Sequence, residues 1–553
     1  MADAKEGEVV GISHRGDEDQ RRDEDENDNK ILIQEAAAGF ANEKHMGPRE
    51  SIKAYPQAIM WSLVMALCVI MEGYDTALLG NFFAYPAFQI KFGRHVGVTP
   101  STPSGYLLSA PWQAGVSQST NVGGFIGAIL NGWLVNAYGQ RRVVLWSLII
   151  LEALIFIPFF APNLTVLLIG EFLLGIPWAT LATCAISYAS EVLPPSIRTY
   201  LTSYTNMCFV MGQLIAAGVI KGLSNHTSQW AYRIPFAIQW VWPVFLIPLV
   251  YMAPESPWYL VRKGRLEDAE KSLRRLQSSN ANIDPKDTLA TIIHTDNFEK
   301  RNAIDASYWD CIKGTELRRT EIACMTFAGQ VFIGINFAFN NTYFFQTIGV
   351  GTSTTFSLSL GGSCLGLFGC FINWFGLMPY FGRRTIYLWG VASMCIVLFL
   401  IGILNVWTEH KSVALTQAIL SLVWTFIFQL SAGQLGWSYP AEVGSTRLRQ
   451  MTICIARDVH AVINIGFGIL QQYLMNPTAW NVKGYVGFIW GSTALMMFIW
   501  AYFRLPEVWN RPYEELDILF TQKVSARKFA STPVNPLEDD ETILHARDDA
   551  EKS

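Results

Sequence analysis

Residues 187–198 read Ser-Tyr-Ala-Ser-Glu-Val-Leu-Pro-Pro-Ser-Ile-Arg, and residues 438–449 read Ser-Tyr-Pro-Ala-Glu-Val-Gly-Ser-Thr-Arg-Leu-Arg. Both open on Ser-Tyr, and in both a Glu precedes an Arg by seven positions: Glu191 and Arg198, then Glu442 and Arg449. Two shorter echoes keep nearly the same offset. Tyr138-Gly139-Gln140-Arg141 returns as Phe381-Gly382-Arg383-Arg384, and Pro254-Glu255 returns as Pro506-Glu507. A chain that repeats its markers at about half the length of its apolar region is built from two related halves. Internal repeats with a site near the midplane between them are a transporter architecture.

Apolar runs recur at 57–82, 113–137, 143–161, 165–190, 200–222, 234–253, 321–346, 354–378, 385–405, 412–440, 451–474 and 484–504. A helix needs about 20 mostly apolar residues to cross a bilayer. The pattern predicts an all-α membrane protein with about twelve transmembrane helices in two pseudo-symmetric six-helix bundles, 56–253 and 321–504. The polar stretch 254–320 is expected to be a linker carrying short amphipathic helices around Leu266–Leu276. Residues 1–55 are expected to form a disordered acidic tail, and 505–553 a second polar tail.

Composition agrees with this division. Of 553 residues, 51% are hydrophobic and only 16% charged, against about 25% charged in soluble proteins. The net charge of −4 averages unlike parts: residues 1–50 carry −7, residues 505–553 carry −5, and the region between them +8. That balance excludes a strongly basic nucleic-acid binder. Arg141, Arg142, Arg198, the bases of 262–275, Arg383, Arg384, Arg447 and Arg449 all fall on one side of the expected membrane. By the positive-inside rule this side, with both tails, is cytoplasmic. No apolar segment follows Met1, so no cleaved signal is expected. Asn163 and Asn225 begin glycosylation sequons in short loops on the other side. The nine Cys mostly fall inside apolar runs, Cys68, Cys184, Cys364 and Cys454 among them, and read as buried free thiols. No Cys/His spacing suits a metal. No hydrolytic triad or phosphate-binding Gly-rich loop is present, so the chain reads as no enzyme, without cofactor, driven by an ion gradient or passive.

A set of motifs spread over residues 56–520 resembles the sugar porters of the major facilitator superfamily, and within them the fungal α-glucoside (maltose-type) proton symporters. The motifs are Glu72-Gly73-Tyr74-Asp75, Gly175-Ile-Pro177-Trp178, Tyr188-Ala-Ser-Glu191 with Arg198, and Gly212-Gln213-Leu-Ile-Ala-Ala-Gly218. To these add Pro254-Glu255-Ser256-Pro257-Trp258, Gly382-Arg383-Arg384-Thr385, and Leu505-Pro506-Glu507 with Glu515-Leu516-Asp517. They point to the fold and to sugar transport rather than to one sugar.

Charges at bilayer depth are costly and mark function. Glu72 and Asp75 stand three apart, on one helix face. The resemblance implies that Asp75 is the proton carrier. The Arg that usually partners it is replaced here by Glu171. Two acids alone repel, so a cation must come from elsewhere, and Arg457 in the eleventh run is the expected counter-ion. Glu152 is a further acid of unassigned role.

Sugar recognition needs amides for the hydroxyls and an aromatic face for the ring. The resemblance implies Gln213, Gln330, Asn336 and Trp437 in that role. A second Gln usual after Gln330 is Val331, and the usual aromatic pair gives way to Asn340-Asn341, which suits a larger ligand. The resemblance further implies that Glu191, Arg198, Glu442, Arg449, Arg142, Arg384 and Glu255 latch the inner gate. Two positions depart from the usual latch, Asn136 and Pro379. The expected protein is a monomeric plasma-membrane symporter of a sugar and protons, working by alternating access within the lipid bilayer. A hexose porter, a passive uniporter and a non-transporting sugar sensor are the rival expectations.

Overall fold

The structure is a computed structural model that describes residues 47–99, 102–224, 226, 228–278, 284–301, 308–407, 411–445, 448–509, 511 and 513–533. Among the described residues, twelve long helical stretches follow one another. They are α1 Pro56–Phe82, α3 Gln140–Phe160, α4 Leu164–Val192, α5 Ser196–Leu223, α6 Trp230–Met252, α8 Thr352–Leu377, α9 Arg383–Trp407 and α10 Ser412–Val443, with α2 Ala110–Tyr138, α11 Arg449–Met475 and α12 Val486–Arg504. The remaining stretch, α7, runs Gly314–Phe332 and continues through Ile335–Phe339 and Asn341–Thr347. Among the described residues, ten of these helices are long and apolar enough to cross a membrane. The two less apolar ones, α2 and α7, differ for visible reasons. α2 buries the polar side chains Gln113, Gln118, Ser119 and Asn131. α7 opens on Glu316, Arg318, Arg319 and Glu321, then breaks at Gly334, whose φ of +99° only glycine adopts freely.

Small residues decide how the helices meet. A Cβ on Gly73 of α1 would lie 2.0 Å from the Phe209 carbonyl oxygen of α5, and one on Gly212 of α5 would lie 2.1 Å from that of Ile70. Gly123 of α2 and Gly175 of α4 form a second such contact. Close backbone approach of this kind replaces the hydrophobic drive that lipid does not supply. Gly73→Val is therefore expected to destabilise the bundle by about 1–3 kcal/mol. Fluorescence-detected size exclusion should show the monodisperse peak reduced, while Gly361→Ala, which has open space around its Cβ position, leaves the peak unchanged.

The chain divides into two compact units. One comprises residues 1–59, 191–197 and 254–305. It has its own core of Leu260, Val261, Ala269, Leu273 and Ile292. Leu266–Leu276 is the amphipathic helix expected there: Ala269, Leu273 and Leu276 are buried, whereas Glu267, Lys271 and Arg274 face out. Order also reaches back into the stretch expected to be a disordered tail. Pro48–Ala54 is helical, Ser51 Oγ lies 2.6 Å from Ser196 Oγ, and Ser278 N donates to Ala54 O at 2.8 Å. Residues 1–46 lie outside the described residues.

The other unit comprises residues 60–190, 198–253 and 306–553. The chain stays packed after α12. A helix Tyr513–Thr521 follows, and Leu519, Phe520 and Phe529 are fully buried. Arg319 Nη2 holds Asp517 Oδ1 at 2.6 Å, and Arg318 Nη1 donates to Val524 O at 2.7 Å. Large apolar side chains, among them Trp133, Trp146, Phe375 and Trp389, are exposed on the outer faces of the helices, as lipid contact requires. One expected thiol is placed differently: Cys364 is exposed, because α8 turns it outward beside Phe368. The other eight Cys are buried, none in a disulfide.

Candidate functional site

Two polar clusters grow from α1, three residues apart. α1 shifts its hydrogen bonding at Cys68 and Val69, where Val69 N turns back to Ala66 O at 2.9 Å, and resumes as Ile70–Phe82. In the first cluster, Asp75 is buried and its Oδ1 accepts Gln239 Nε2 of α6 at 2.6 Å. Glu171 of α4, also fully buried, faces it across the bundle. Glu171 Oε2 accepts Thr120 Oγ1 of α2 at 3.4 Å. Asp75 Oδ2 and Glu171 Oε1 have no donor upon them. Two facing carboxyl groups bond to one another only when one of them carries a proton.

In the second cluster, Glu72 Oε1 meets Arg457 Nη2 of α11 at 2.7 Å. The bond joins the first half of the chain to the second. The Arg457 guanidinium lies 5.2 Å from the centre of the Trp437 ring and 5.7 Å from that of Phe327, within the range at which an aromatic face favours a cation. Glu72 and Arg457 keep 18% and 12% of their side-chain surface accessible, so the pair is only partly buried. The sequence reading gave Arg457 to Asp75 and Glu171, whereas the structure gives it to Glu72. Three residues along a helix leave about 60° between side chains, enough to send Glu72 toward α11 and Asp75 toward α4 and α6.

The four amide and aromatic candidates have different surroundings. Gln213 of α5 lines a cavity of about 60 Å³ with Asn81, Asn341, Thr342 and Gln429. Asn336 of α7 is buried with no acceptor on its Nδ2. Trp437 is buried against Phe327 at 5.2 Å and Phe209 at 6.5 Å between ring centres. Gln330 is already engaged: its Nε2 donates to Ala432 O at 3.2 Å and Gly433 O at 3.1 Å. Those carbonyls directly follow Ser431, where α10 breaks at φ −136° and ψ −97°.

The candidate gate residues are dispersed. Within the smaller unit, Ser256 Oγ donates to Glu191, and Glu255 Oε1 accepts Ser256 N at 3.2 Å. Within the larger unit, Glu442 Oε1 accepts Thr199 Oγ1 at 2.6 Å, with the charges of Arg383 and Arg198 near it. Arg384 Nη2 donates to Tyr502 O at 2.9 Å. The backbone N–H groups of Arg383 and Arg384 both donate to the Glu507 carboxylate, at 2.8 and 3.2 Å. Arg142 is exposed. The Arg449 side chain lies outside the described residues.

Sequence reasoning missed Gln239, Phe209 and Phe327. Gln239 was legible as the one amide in the apolar run 234–253. The two Phe were not, because 34 Phe are spread through the chain and only packing singles these out.

Residues 61–520 match the family model described as "Sugar (and other) transporter". The chain belongs to the sugar transporter family. A maltose permease of Saccharomyces cerevisiae is 37% identical over 513 residues, covering 91% of this chain and 82% of that protein. An alpha-glucosides permease of the same species (strain ATCC 204508 / S288c) is 36% identical over 523 residues, covering 92% and 86%. Among solved structures, the major facilitator superfamily proton:xylose symporter XylE bound to 6-bromo-6-deoxy-D-glucose superposes with a TM-score of 0.70. It is 21% identical and covers 84% of this chain and 99% of that one, a likeness of fold. This member of the sugar transporter family is thus a multi-pass membrane transporter of the major facilitator fold, not an enzyme.

Proposed function

We propose that this chain imports an α-glucoside such as maltose together with protons, across the plasma membrane, with both tails cytoplasmic. The observation that carries proton coupling is the Asp75–Glu171 pair. Both acids are buried, they face each other, and among the described residues neither forms a salt bridge. Such a pair is a place to hold and release a proton. Glu72 and Arg457 stand beside it as a charge-balanced bridge between the halves. Gln213, Asn336 and Trp437 are the sugar contacts in this reading, and Gln330 shapes the α10 break next to them. The two halves, 56–253 and 321–504, rock about the site. Glu191, Arg198, Glu442, Arg449, Arg142, Arg384 and Glu255 hold the tail-side gate in the outward-open state. The relatives' names, maltose and alpha-glucosides permeases, support the substrate class.

The test is uptake of radiolabelled maltose, sucrose, trehalose and glucose in a transporter-null cell, with and without a protonophore. Maltose uptake should alkalinise the medium and should collapse with the protonophore. Equal uptake in its presence rejects proton coupling, and uptake of glucose alone rejects the α-glucoside reading.

A further inference from the structure

The cavity beside Gln213 has a part that the proposed sugar contacts leave unused. From Gln213 and Gln429 it extends to Asn81 on α1, Thr342 on α7 and Ser359 and Ser363 on α8. Asn81 Oδ1 accepts two hydroxyls there, Thr342 Oγ1 at 2.6 Å and Ser359 Oγ at 3.2 Å, while its Nδ2 is held by Ala77 O at 2.7 Å. Opposite, Asn341 Oδ1 accepts Ser421 Oγ at 2.7 Å, and its Nδ2 reaches Thr425 Oγ1 at 3.4 Å. Phe339, Leu422 and Phe428 supply apolar walls. Hydroxyls and amides set between apolar walls are what a sugar ring requires.

The cavity's size says when it works. At about 60 Å³ it falls well below the roughly 300–1,000 Å³ of ligand pockets. α1 is closed on α7 here, since a Cβ on Gly80 would lie 2.4 Å from Phe339 O. The bonds from Asn81 to Thr342 and Ser359 are the polar ones that must part when this end opens. A sugar hydroxyl can then replace each serine or threonine hydroxyl on Asn81 Oδ1. One O–H donor exchanges for another, so no buried acceptor is left bare.

We propose that this end of the cavity is the subsite for the second pyranose ring of a disaccharide, with Asn81, Asn341, Ser359 and Ser363 as its polar contacts. The first ring lies toward Gln213 and Trp437. The proposal rests on the α-glucoside reading and adds where the second ring sits. The α8 hydroxyls lie outside the amide set that the family resemblance supplied.

The test uses the full-length chain in transporter-null cells, with surface level read from a fluorescent tag. The probes are radiolabelled maltose, with two rings, and methyl α-D-glucoside, with one. Ser363→Leu fills the subsite and should raise the maltose KM at least about tenfold, with the methyl α-D-glucoside KM held within about twofold. Ser359→Ala removes one oxygen without adding bulk and should raise the maltose KM about fivefold, again sparing the one-ring probe. If Ser363→Leu does not reach the surface, Ser359→Ala decides alone. Parallel changes for both probes, or no change for either, overturn the subsite. A wild-type chain that takes up neither probe overturns the α-glucoside reading and the subsite with it.

Discussion

Arg457→Leu is expected to lower sugar uptake at least about 100-fold at equal surface level. The substitution leaves Glu72 inside the bundle without its cation. Removing one partner of a fully buried pair costs about 3–5 kcal/mol, so the lower end applies to this partly buried one, and each 1.4 kcal/mol is about a tenfold change in an equilibrium. The Glu72–Arg457 bond at 2.7 Å spans the two halves, so the cost falls on the conformations that bring α1 and α11 together. Arg457→Lys should recover only part of the loss. A Lys ammonium keeps the charge but lacks the broad, delocalised guanidinium that Arg457 places over Trp437 and Phe327. The double variant Glu72→Gln with Arg457→Leu should restore surface level, because no lone charge remains. Initial rates of labelled maltose uptake, normalised to surface protein, check the two single variants, and the surface level itself checks the double variant. Wild-type rates in Arg457→Leu would remove the bridge from the mechanism.

Asp75→Asn is expected to abolish accumulation against a gradient while leaving exchange intact. An Asn Oδ1 still accepts the bond from Gln239 Nε2 that Asp75 accepts at 2.6 Å, so local packing is kept. What is lost is the ionisable carboxyl that faces Glu171. Counterflow of labelled maltose in preloaded cells should stay within about threefold of wild type, since exchange needs no net proton transfer. The steady-state ratio of internal to external sugar should fall to unity, and the medium should no longer alkalinise. Continued accumulation in Asp75→Asn would show that the proton travels elsewhere, with Glu171 the next residue to replace.

The two acids on α1 show how far sequence reasoning reached into the site. Their depth, their spacing and the absence of the usual Arg at Glu171 were all legible, because an ionisable residue in an apolar run stands out. Their partners were not. Arg457 lies 385 positions from Glu72, and Gln239 lies 164 from Asp75. Such distances are closed only by the crossing of helices, which depends on backbone contacts such as Gly73 against Phe209. Gln330 makes the same point from the other side. As a residue type it is a fitting sugar ligand, and only the break at Ser431 reveals that its amide is committed to main-chain carbonyls.

Period, composition and repeat are local properties, and they alone determined the helical membrane class, the run of apolar segments, the paired halves and the short roster of buried charges. Which charge meets which, which amide stays free and where the cavity lies were decided by tertiary structure. Those facts depend on the rotation of each helix about its axis, and a turn of about 100° per residue makes that rotation a matter of packing rather than of sequence position.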